Sequence, residues 1–180
     1  LEFAAFDEAF TPGESVASAE VGAQSVCEII FPSGSTGRPK GVLRQHHQVL
    51  GNRWSSSVRR GFRGDDVLLA VSEFSHTLGL NGTLLRALLL GATMVLTADR
   101  NPRTLAALIH GEGVTAVSAA PSFFSSLLKQ EVGGRPACSV LRLASIGSSN
   151  IPPELVSELR AVGVESVVSG YGMTECDSIA

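Results

Sequence analysis

The chain has 180 residues, of which 44% are hydrophobic and 17% are charged, and its formal net charge is −3. This length is enough for about one domain with a buried core, and the apolar fraction excludes an intrinsically disordered chain. With 14 Lys and Arg against 17 Asp and Glu, the sequence has no basic excess. The composition therefore argues against a nucleic-acid partner.

The three cysteines, Cys27, Cys138 and Cys176, are an odd number and contain no C-x-x-C pair. This pattern predicts neither a disulfide framework nor a zinc site. We interpret them as reduced thiols and expect a reducing, cytoplasmic location. No basic region followed by an apolar run stands at the start, so no signal peptide is predicted.

Apolar strand-like runs alternate with helical patterns along most of the chain. Residues 1–25 are interpreted as a loose lead-in segment, and residues 26–180 as the folded part. This alternation predicts an α/β fold with a mostly parallel sheet and flanking helices. The predicted strands are VCEIIF, VLLAV, TMVLT, TAVSAA, LRLASIG and VESVVSG. The predicted helices are HHQVLGNRWSSSVRR, TLGLNGTLLRALLLG and PRTLAALIHGEG, with two more that begin at Pro121 and near Pro152.

Residues 78–98 are the one stretch with enough apolar character to imitate a membrane span. The stretch carries Asn81 and Arg86 and is interrupted at Gly91. A charge near the centre of a span costs about 3 kcal/mol on insertion scales. We therefore predict no integral membrane segment here, but a buried helix that ends at Gly91 and is followed by a strand.

Local signals also mark where helices begin and where ligands bind. Pro102, Pro121 and Pro152 stand at predicted helix starts, where a missing N–H is tolerated, and Asn101 offers a cap. Parallel sheets bind ligands beyond the carboxyl ends of their strands. We therefore expect the functional residues in the loops that follow Phe31, Val71, Ile146 and Gly170.

The loop after the first predicted strand, residues 32–41, has the sequence PSGSTGRPKG. Its glycines allow backbone N–H groups to converge, its hydroxyls add donors and Lys40 supplies a positive charge, which together suit a polyphosphate. The order differs from the P-loop of nucleotide triphosphatases, because Pro39 precedes Lys40 and Gly41 follows it. On composition alone, a phosphate site and a flexible turn fit equally well.

Residues 33–41, SGSTGRPKG, resemble the signature loop of the adenylate-forming superfamily, which comprises acyl-CoA synthetases, nonribosomal peptide adenylation domains and luciferases. A second family element, YGMTE, begins at Tyr171, 131 residues after Lys40 (171 − 40). Weaker similarities are FSHTLG at residues 74–79 and GSSNIP at residues 147–152. The resemblance spans about residues 26–180 and implies part of the large N-terminal domain of an adenylate-forming enzyme.

The resemblance implies a nucleotide site made of several motifs. The signature loop is implied to hold the β- and γ-phosphates of ATP, with Lys40 as a catalytic residue. Tyr171 is implied to stack on adenine, and Thr174 to contact the α-phosphate as a catalytic residue. Glu175 is implied to be both catalytic and the ligand of Mg²⁺. The implied cofactor-binding residues are Ser33, Gly34, Ser35, Thr36, Gly37, Lys40, Ser148, Ser149, Asn150, Gly170, Tyr171, Gly172, Met173 and Thr174.

Other interpretations of these residues remain open. His76 is implied to be a catalytic gate beside the acyl pocket, whereas a His near an apolar helix is as often a hydrogen-bonded packing residue. Lys40 is also consistent with a solvated surface lysine, and Glu175 with a helix cap. Pro32 stands where the family usually has Thr, which removes a hydroxyl and an N–H, so we expect weaker nucleotide binding. By the resemblance, Glu73 and Ser75 make the approach to the acyl pocket more polar, which is consistent with a polar or ring-bearing acid, and Glu73 is equally consistent with a residue that faces water.

The implied activity is that of an AMP-forming acyl-CoA synthetase, which uses ATP, Mg²⁺ and CoA to convert a small-molecule carboxylic acid to its thioester. Two alternatives stay open: an adenylation domain or acyl-AMP ligase that loads a carrier protein, and a non-catalytic nucleotide- or acyl-binding module. Family members continue with an Asp that binds ribose and a small C-terminal domain that carries a Lys. Because the sequence contains neither, we expect this chain alone to be inactive. The acid and the oligomeric state stay open.

Overall fold

The computed structural model describes residues 20–31 and 40–178, in which strands and helices alternate. The strands are β1 (Val26–Ile30), β2 (Val42–Gln45), β3 (Val67–Ala70), β4 (Thr93–Leu96), β5 (Ala116–Ala119), β6 (Glu131–Val132), β7 (Arg135–Pro136), β8 (Leu143–Ile146), β9 (Ser166–Ser169), β10 (Gly172–Met173) and β11 (Asp177–Ser178). The helices are α1 (His46–Arg59), α2 (α-helical over Thr77–Gly79 and Arg86–Leu90, π-helical over Leu80–Leu85), α3 (Pro102–Gly111), α4 (Pro121–Leu127) and α5 (Pro153–Ala161), with a 3₁₀ turn at Ala137–Val140.

Five strands form one sheet in the order β4-β3-β5-β8-β9, and all four pairings are parallel. The prediction of an α/β fold with a mostly parallel sheet and flanking helices is confirmed. Because the strands are parallel, their carboxyl ends lie at one edge of the sheet. The loops that follow β3, β8 and β9 therefore meet at that edge.

Apolar side chains cover both faces of this sheet. Neighbouring strand residues point to opposite faces, so Leu69 joins one core cluster and Leu68 the other. The larger cluster contains Ile109 of α3 and Phe124 of α4, and the smaller one contains Ala87 of α2. Burial on both faces explains why the central strands β3, β5 and β8 are mostly apolar.

A buried ion pair ties together the amino ends of three parallel strands. Asp66, Thr115 and Arg142 each stand directly before a strand. Arg142 donates from Nη2 and Nε to the Asp66 carboxylate at 2.6 and 3.0 Å, and Thr115 Oγ1 donates to it at 2.8 Å. Burial raises the pKa of Asp66, but these hydrogen bonds and one from the Arg63 N–H outweigh it, so the pKa lies below its usual value.

The first predicted strand is present, but it lies outside the parallel sheet. β1 pairs antiparallel with β2, a strand that the sequence pattern did not predict, and the two form a separate ribbon. Glu28 in β1 accepts a hydrogen bond from Asn81 Nδ2 at 3.0 Å and forms an ion pair with Arg44 at 3.1 Å between Oε1 and Nε. β2 was missed because its four residues, VLRQ, show no apolar alternation.

Helix boundaries follow the predicted signals closely. Pro102 and Pro121 are the first residues of α3 and α4, and Asn101 Oδ1 accepts a hydrogen bond from the Arg103 N–H at 2.9 Å. α5 begins at Pro153, one residue later than the sequence indicated, because Pro152 is its N-cap. Gly91 ends α2 with a left-handed φ of 68°, as predicted, and β4 follows.

Two further predictions concern the cysteines and the apolar stretch at residues 78–98. Cys27, Cys138 and Cys176 are all free, and burial raises the pKa of Cys138 to about 12. Within residues 20–31 and 40–178, no helix combines the length and the apolar composition that crossing a membrane requires.

Candidate functional site

A cleft of about 250 Å³ lies beside the carboxyl edge of the sheet. Loops that follow β8 and β9 form one wall, and helices α1 and α2 form the other. The cleft therefore occupies the position at which parallel sheets usually bind ligands. Its lining residues are Arg53, Arg60, His76, Thr77, Leu78, Gly82, Arg86, Gly147, Ser148, Gly170, Tyr171, Gly172, Met173 and Thr174.

The loop wall of the cleft is made of closely approaching backbone. A Cβ on Gly170 would overlap the guanidinium of Arg60, and one on Gly147 would stand 3.1 Å from the Gly170 carbonyl oxygen. Ser148 adopts a φ of 73°, in the left-handed region that is uncommon for a residue with a side chain and is enriched at functional sites. Tyr171 is 62% exposed, so its ring is available for stacking. A bare backbone cradle beside an open aromatic ring fits an adenine nucleotide.

Thr174 and Glu175 lie in the turn of the β10–β11 hairpin. Asn52 of α1 holds this turn, because its Nδ2 donates to the Cys176 carbonyl oxygen at 3.2 Å. Over the part of the chain that the structure describes, no three His, Cys, Asp or Glu residues are grouped as a complete metal site. Mg²⁺ beside a nucleotide usually takes one or two carboxylates and completes its shell with phosphate oxygens and water. An exposed Glu175 next to Thr174 fits that requirement.

His76 stands at the start of α2, at the rim of the cleft. It is the N-cap residue, its N–H donates to the Glu73 carbonyl oxygen at 3.0 Å, and its carbonyl oxygen accepts from the Leu80 N–H at 2.9 Å. These backbone bonds fix its position while its side chain stays exposed. Ser75 Oγ donates to the Glu73 carboxylate at 3.3 Å, so this polar pair lies in the loop that leads to the cleft.

The structure brings about half of the predicted site residues together. The cleft contains His76, Ser148, Gly170, Tyr171, Gly172, Met173 and Thr174. Four others are exposed and lie outside the described lining of the cleft, namely Lys40, Ser149, Asn150 and Glu175. The remaining predictions, Pro32 and the signature-loop residues Ser33, Gly34, Ser35, Thr36 and Gly37, fall outside the described residues.

Sequence reasoning missed the helical wall of the cleft. Arg53 lies in α1, Arg60 is the C-cap residue that follows α1, and Arg86 lies in the apolar helix α2. Arg86 is only 1% exposed. The sequence contained one signal for it, since a charge within an apolar helical run is costly and is usually retained for a specific contact. In the sequence this residue was used only as an argument against a membrane span.

The fold and the cleft together define a class of protein: a parallel α/β domain with an open cleft at the carboxyl edge of its sheet, where domains of this class commonly hold a nucleotide. Comparison with known proteins agrees, because a family model described as "AMP-binding enzyme" matches residues 2–180. The chain belongs to this family of adenylate-forming enzymes.

Curated relatives of this chain are CoA ligases. The chain is 32% identical over 176 residues to a 3-[(3aS,4S,7aS)-7a-methyl-1,5-dioxo-octahydro-1H-inden-4-yl]propanoyl:CoA ligase of Rhodococcus jostii. The aligned residues make up 97% of this chain and 34% of that relative. It is 31% identical to a long-chain-fatty-acid–CoA ligase of Thermus thermophilus, over 98% of this chain and 32% of that relative. The chain thus spans about a third of the length of these relatives.

Two solved structures with the same architecture contain nucleotides. ATP-bound MatB from Rhodopseudomonas palustris superimposes with a TM-score of 0.80 at 26% identity, over 91% of this chain and 32% of that chain. O-succinylbenzoate coenzyme A synthetase (MenE) from Bacillus subtilis in complex with AMP gives a TM-score of 0.77 at 27% identity, over 93% of this chain and 43% of that chain. Both confirm the fold that the sequence implied.

Proposed function

We propose that the full-length protein containing this chain is an AMP-forming carboxylate–CoA ligase that uses ATP, Mg²⁺ and CoA. A carboxylate oxygen attacks the α-phosphorus of ATP, the bond to the β-phosphate breaks, and pyrophosphate leaves. The thiol of CoA then attacks the acyl carbonyl and AMP leaves. The observation that carries this proposal is the cleft in which Tyr171, Thr174 and His76 lie together in a chain of this family.

Each residue has a proposed role that follows from its place. Tyr171 stacks on adenine from the open side of the cleft, and Ser148 contributes the facing loop. Thr174 contacts the α-phosphate, and Glu175 supplies a carboxylate to Mg²⁺. Ser33, Gly34, Ser35, Thr36, Gly37 and Lys40 are proposed to hold the other two phosphates, and Ser149, Asn150, Gly170, Gly172 and Met173 to complete the nucleotide pocket.

Residues 26–180 are, in this proposal, one part of the large catalytic domain, and the C-terminal domain with its Lys lies outside this chain. The 180 residues alone are therefore expected to be inactive. The three free cysteines support a cytoplasmic location. CoA is favoured over a carrier protein as acceptor because the curated relatives are CoA ligases. Loading of a carrier protein stays the second candidate.

ATP–pyrophosphate exchange by the full-length protein, with a panel of aliphatic, aromatic and polycyclic carboxylates and amino acids, tests the adenylation step. We expect exchange with one class of acid, and AMP release only when CoA is added. Release with a phosphopantetheinylated carrier protein, but not with CoA, would support the second candidate. Binding of Mg·ATP without exchange for any acid would indicate a non-catalytic module and reject the proposal.

The matched variants Glu175→Gln and Glu154→Gln test the assigned metal ligand. Glu154 lies in the first turn of α5, away from the cleft lining. Loss of a carboxylate that holds Mg²⁺ beside the reacting phosphate is expected to slow exchange by about 100-fold and to raise the Mg²⁺ concentration needed for half-maximal rate. Glu154→Gln is expected to behave as the wild type. Equal rates for both variants would remove Glu175 from the site.

A further inference from the structure

The hairpin that carries Thr174 and Glu175 is a small element outside the parallel sheet. β10 and β11 contribute two residues each, and in the part of the chain that the structure describes they pair only with each other. Within the turn, the Cys176 N–H donates to the Met173 carbonyl oxygen at 3.2 Å. A two-stranded hairpin by itself is at best marginally stable in water. The position of this turn therefore depends on contacts with other elements.

One such contact comes from the middle of α1, which packs against β11. Asn52 is half-buried, and its Nδ2 donates to the Cys176 carbonyl oxygen at 3.2 Å across 124 positions of the sequence. Cys176 directly follows Glu175, so this hydrogen bond holds the backbone one residue beyond the carboxylate. Arg53, the next residue of the helix, and Thr174 of the turn both line the cleft, so the contact is made beside it.

Helix α1 provides a fixed platform for Asn52, because it is anchored at both ends. At its start, the His46 N–H donates to the Ser25 carbonyl oxygen at 3.1 Å. At its end, the Phe62 N–H donates to the Ser57 carbonyl oxygen at 3.0 Å, and Phe62 is buried in the smaller core cluster of the sheet. The middle of the helix is therefore held in place relative to the sheet.

The same helix is joined directly to the signature loop. That loop ends at Gly41, β2 follows it, and β2 passes into α1 at His46 without a loop between them. Lys40 thus stands at one end of a continuous strand–helix segment, and Asn52 lies further along the same segment. Through Asn52, this segment contacts the turn of the YGMTE motif, which begins 131 residues after Lys40 (171 − 40).

From these contacts we propose that Asn52 is a positioning residue for adenylation: its amide holds the β10–β11 turn so that Thr174 meets the α-phosphate and Glu175 meets Mg²⁺. The inference rests on the proposed function, from which it takes the roles of Thr174 and Glu175. Asn52 acts only through the turn and contacts neither nucleotide nor acid. Phosphoryl chemistry depends on positioning and electrostatic stabilisation, so a small displacement of the turn costs rate.

Three variants of the full-length protein test this role in ATP–pyrophosphate exchange. Asn52→Leu removes the donor at a similar side-chain size and suits a helix, whereas Asn52→Gln keeps an amide on a longer side chain. Ser55→Ala is the control, because Ser55 is a half-buried residue of the same helix outside the cleft lining. We expect Asn52→Leu to lower kcat about 10-fold and to raise the half-maximal Mg²⁺ concentration at least about 3-fold. Asn52→Gln should recover part of both, and Ser55→Ala should match the wild type.

A double-mutant cycle with Glu175→Gln tests whether Asn52 acts through the turn. Residues that act as a unit have effects that do not add. Once Glu175 is replaced, Asn52→Leu is therefore expected to change the half-maximal Mg²⁺ concentration by less than about 2-fold. An undiminished effect of Asn52→Leu in the Glu175→Gln background would show that Asn52 acts by another route, and it would overturn the inference.

Hydrogen exchange of the full-length protein gives a readout that needs no turnover. Asn52→Leu is expected to speed amide exchange at least about 5-fold in a peptide that covers residues 172–178, and to leave peptides of β5 and β8 unchanged. Equal loss of protection in the hairpin and the sheet would show that Asn52 only stabilises the fold, and it would overturn the inference.

The failure of this inference is distinguishable from the failure of the proposed function. If no acid supports exchange by the wild type, the ligase function itself is rejected. If the wild type catalyses exchange and Asn52→Leu matches it in kcat and in Mg²⁺ dependence, the ligase function stands and only the role of Asn52 is rejected.

Discussion

The parallel sheet and the β1–β2 ribbon use apolar residues in contrasting ways. In the sheet, Leu69 and Val117 are fully buried between helices. In the ribbon, Leu43 is 64% exposed, and on the neighbouring helix α1 Trp54 is 54% exposed. The sheet is therefore stabilised by burial on both faces, whereas the ribbon has an ion pair between its own strands, Glu28 with Arg44, and a hydrogen bond from Asn81 of α2 to Glu28. The difference shows that one sequence pattern, an apolar strand, supports two different kinds of stability.

The largest expected effect is in the sheet core. Phe124→Ala removes a fully buried ring from the larger cluster and is expected to lower the free energy of unfolding by about 3–5 kcal/mol. Leu43→Ala, the matched apolar truncation in the ribbon, is expected to change it by less than about 0.5 kcal/mol. Urea unfolding of the 180-residue chain, followed by circular dichroism, measures both. Similar losses for the two variants would contradict the contrast.

The next effect concerns the ion pair at the amino edge of the sheet. Asp66 is 2% exposed, and Asp66→Asn removes the carboxylate that pairs with Arg142. We expect this change to lower the free energy of unfolding by about 3 kcal/mol. The pKa of Asp66 is lowered in the folded protein. Its contribution to the free energy of unfolding is therefore complete above the pKa of an aspartate in the unfolded chain, about 4. This contribution is lost as the pH falls through the lower pKa that Asp66 has in the folded protein.

Unfolding free energies at pH 7 and pH 3 measure this second effect. The exposed neighbour Asp65 provides the control, and Asp65→Asn is expected to unfold as the wild type does at both pH values. The difference between Asp66→Asn and the wild type should shrink at the lower pH. A difference that grows on acidification would show that the sign of the pKa shift is wrong.

A smaller and more local effect is expected in the ribbon. Glu28→Gln removes the charge that pairs with the buried Arg44. We expect this change to lower the local stability of the ribbon by about 1–2 kcal/mol. Hydrogen exchange should become faster for amides of β1 and β2, while amides of β5 and β8 keep their protection. Uniformly faster exchange in both regions would show that the ribbon and the sheet unfold as one unit.

The smallest expected effect is on the outer face of α1. Trp54 is the single tryptophan of the chain and is largely exposed. Its fluorescence is expected to be that of a solvated indole and to be quenched readily by acrylamide in the 180-residue chain. Trp54→Ser is expected to change the unfolding free energy by less than about 0.5 kcal/mol. A blue-shifted, poorly quenched emission would contradict the exposed position.

Much of the fold could be predicted from local patterns. The strands of the sheet follow apolar runs, and α3 and α4 begin at Pro102 and Pro121 because proline has no N–H to lose at a first helical turn. The cleft residues Tyr171 and Thr174 were predicted because they lie in a short, specific motif. The pattern could not predict β2, because a four-residue polar strand has no periodic signal.

The arginines of the helical wall are likewise residues of the site that local sequence patterns could not predict. Arg53 lies in a helix with many polar residues, and nothing local distinguishes it from Arg59, which is exposed. Only the packing of α1 against α2 places Arg53 at the cleft, beside a helix turn on which Ser57 accepts a hydrogen bond from Arg86. The contacts of Arg86 join residues that are up to 32 positions apart in the sequence, as from Arg86 to Ser118, and leave no trace in a short window.

The sequence by itself determined the alternation of strands and helices, most of the helix boundaries and the family motifs, because these depend on residues close together in the chain. Only the tertiary structure decided that β1 leaves the parallel sheet to pair with β2. It alone also brought Arg53, Arg60 and Arg86 to one cleft. The physical reason is that strand partners and cleft walls are chosen by burial and hydrogen bonding between distant segments, which a local pattern does not contain.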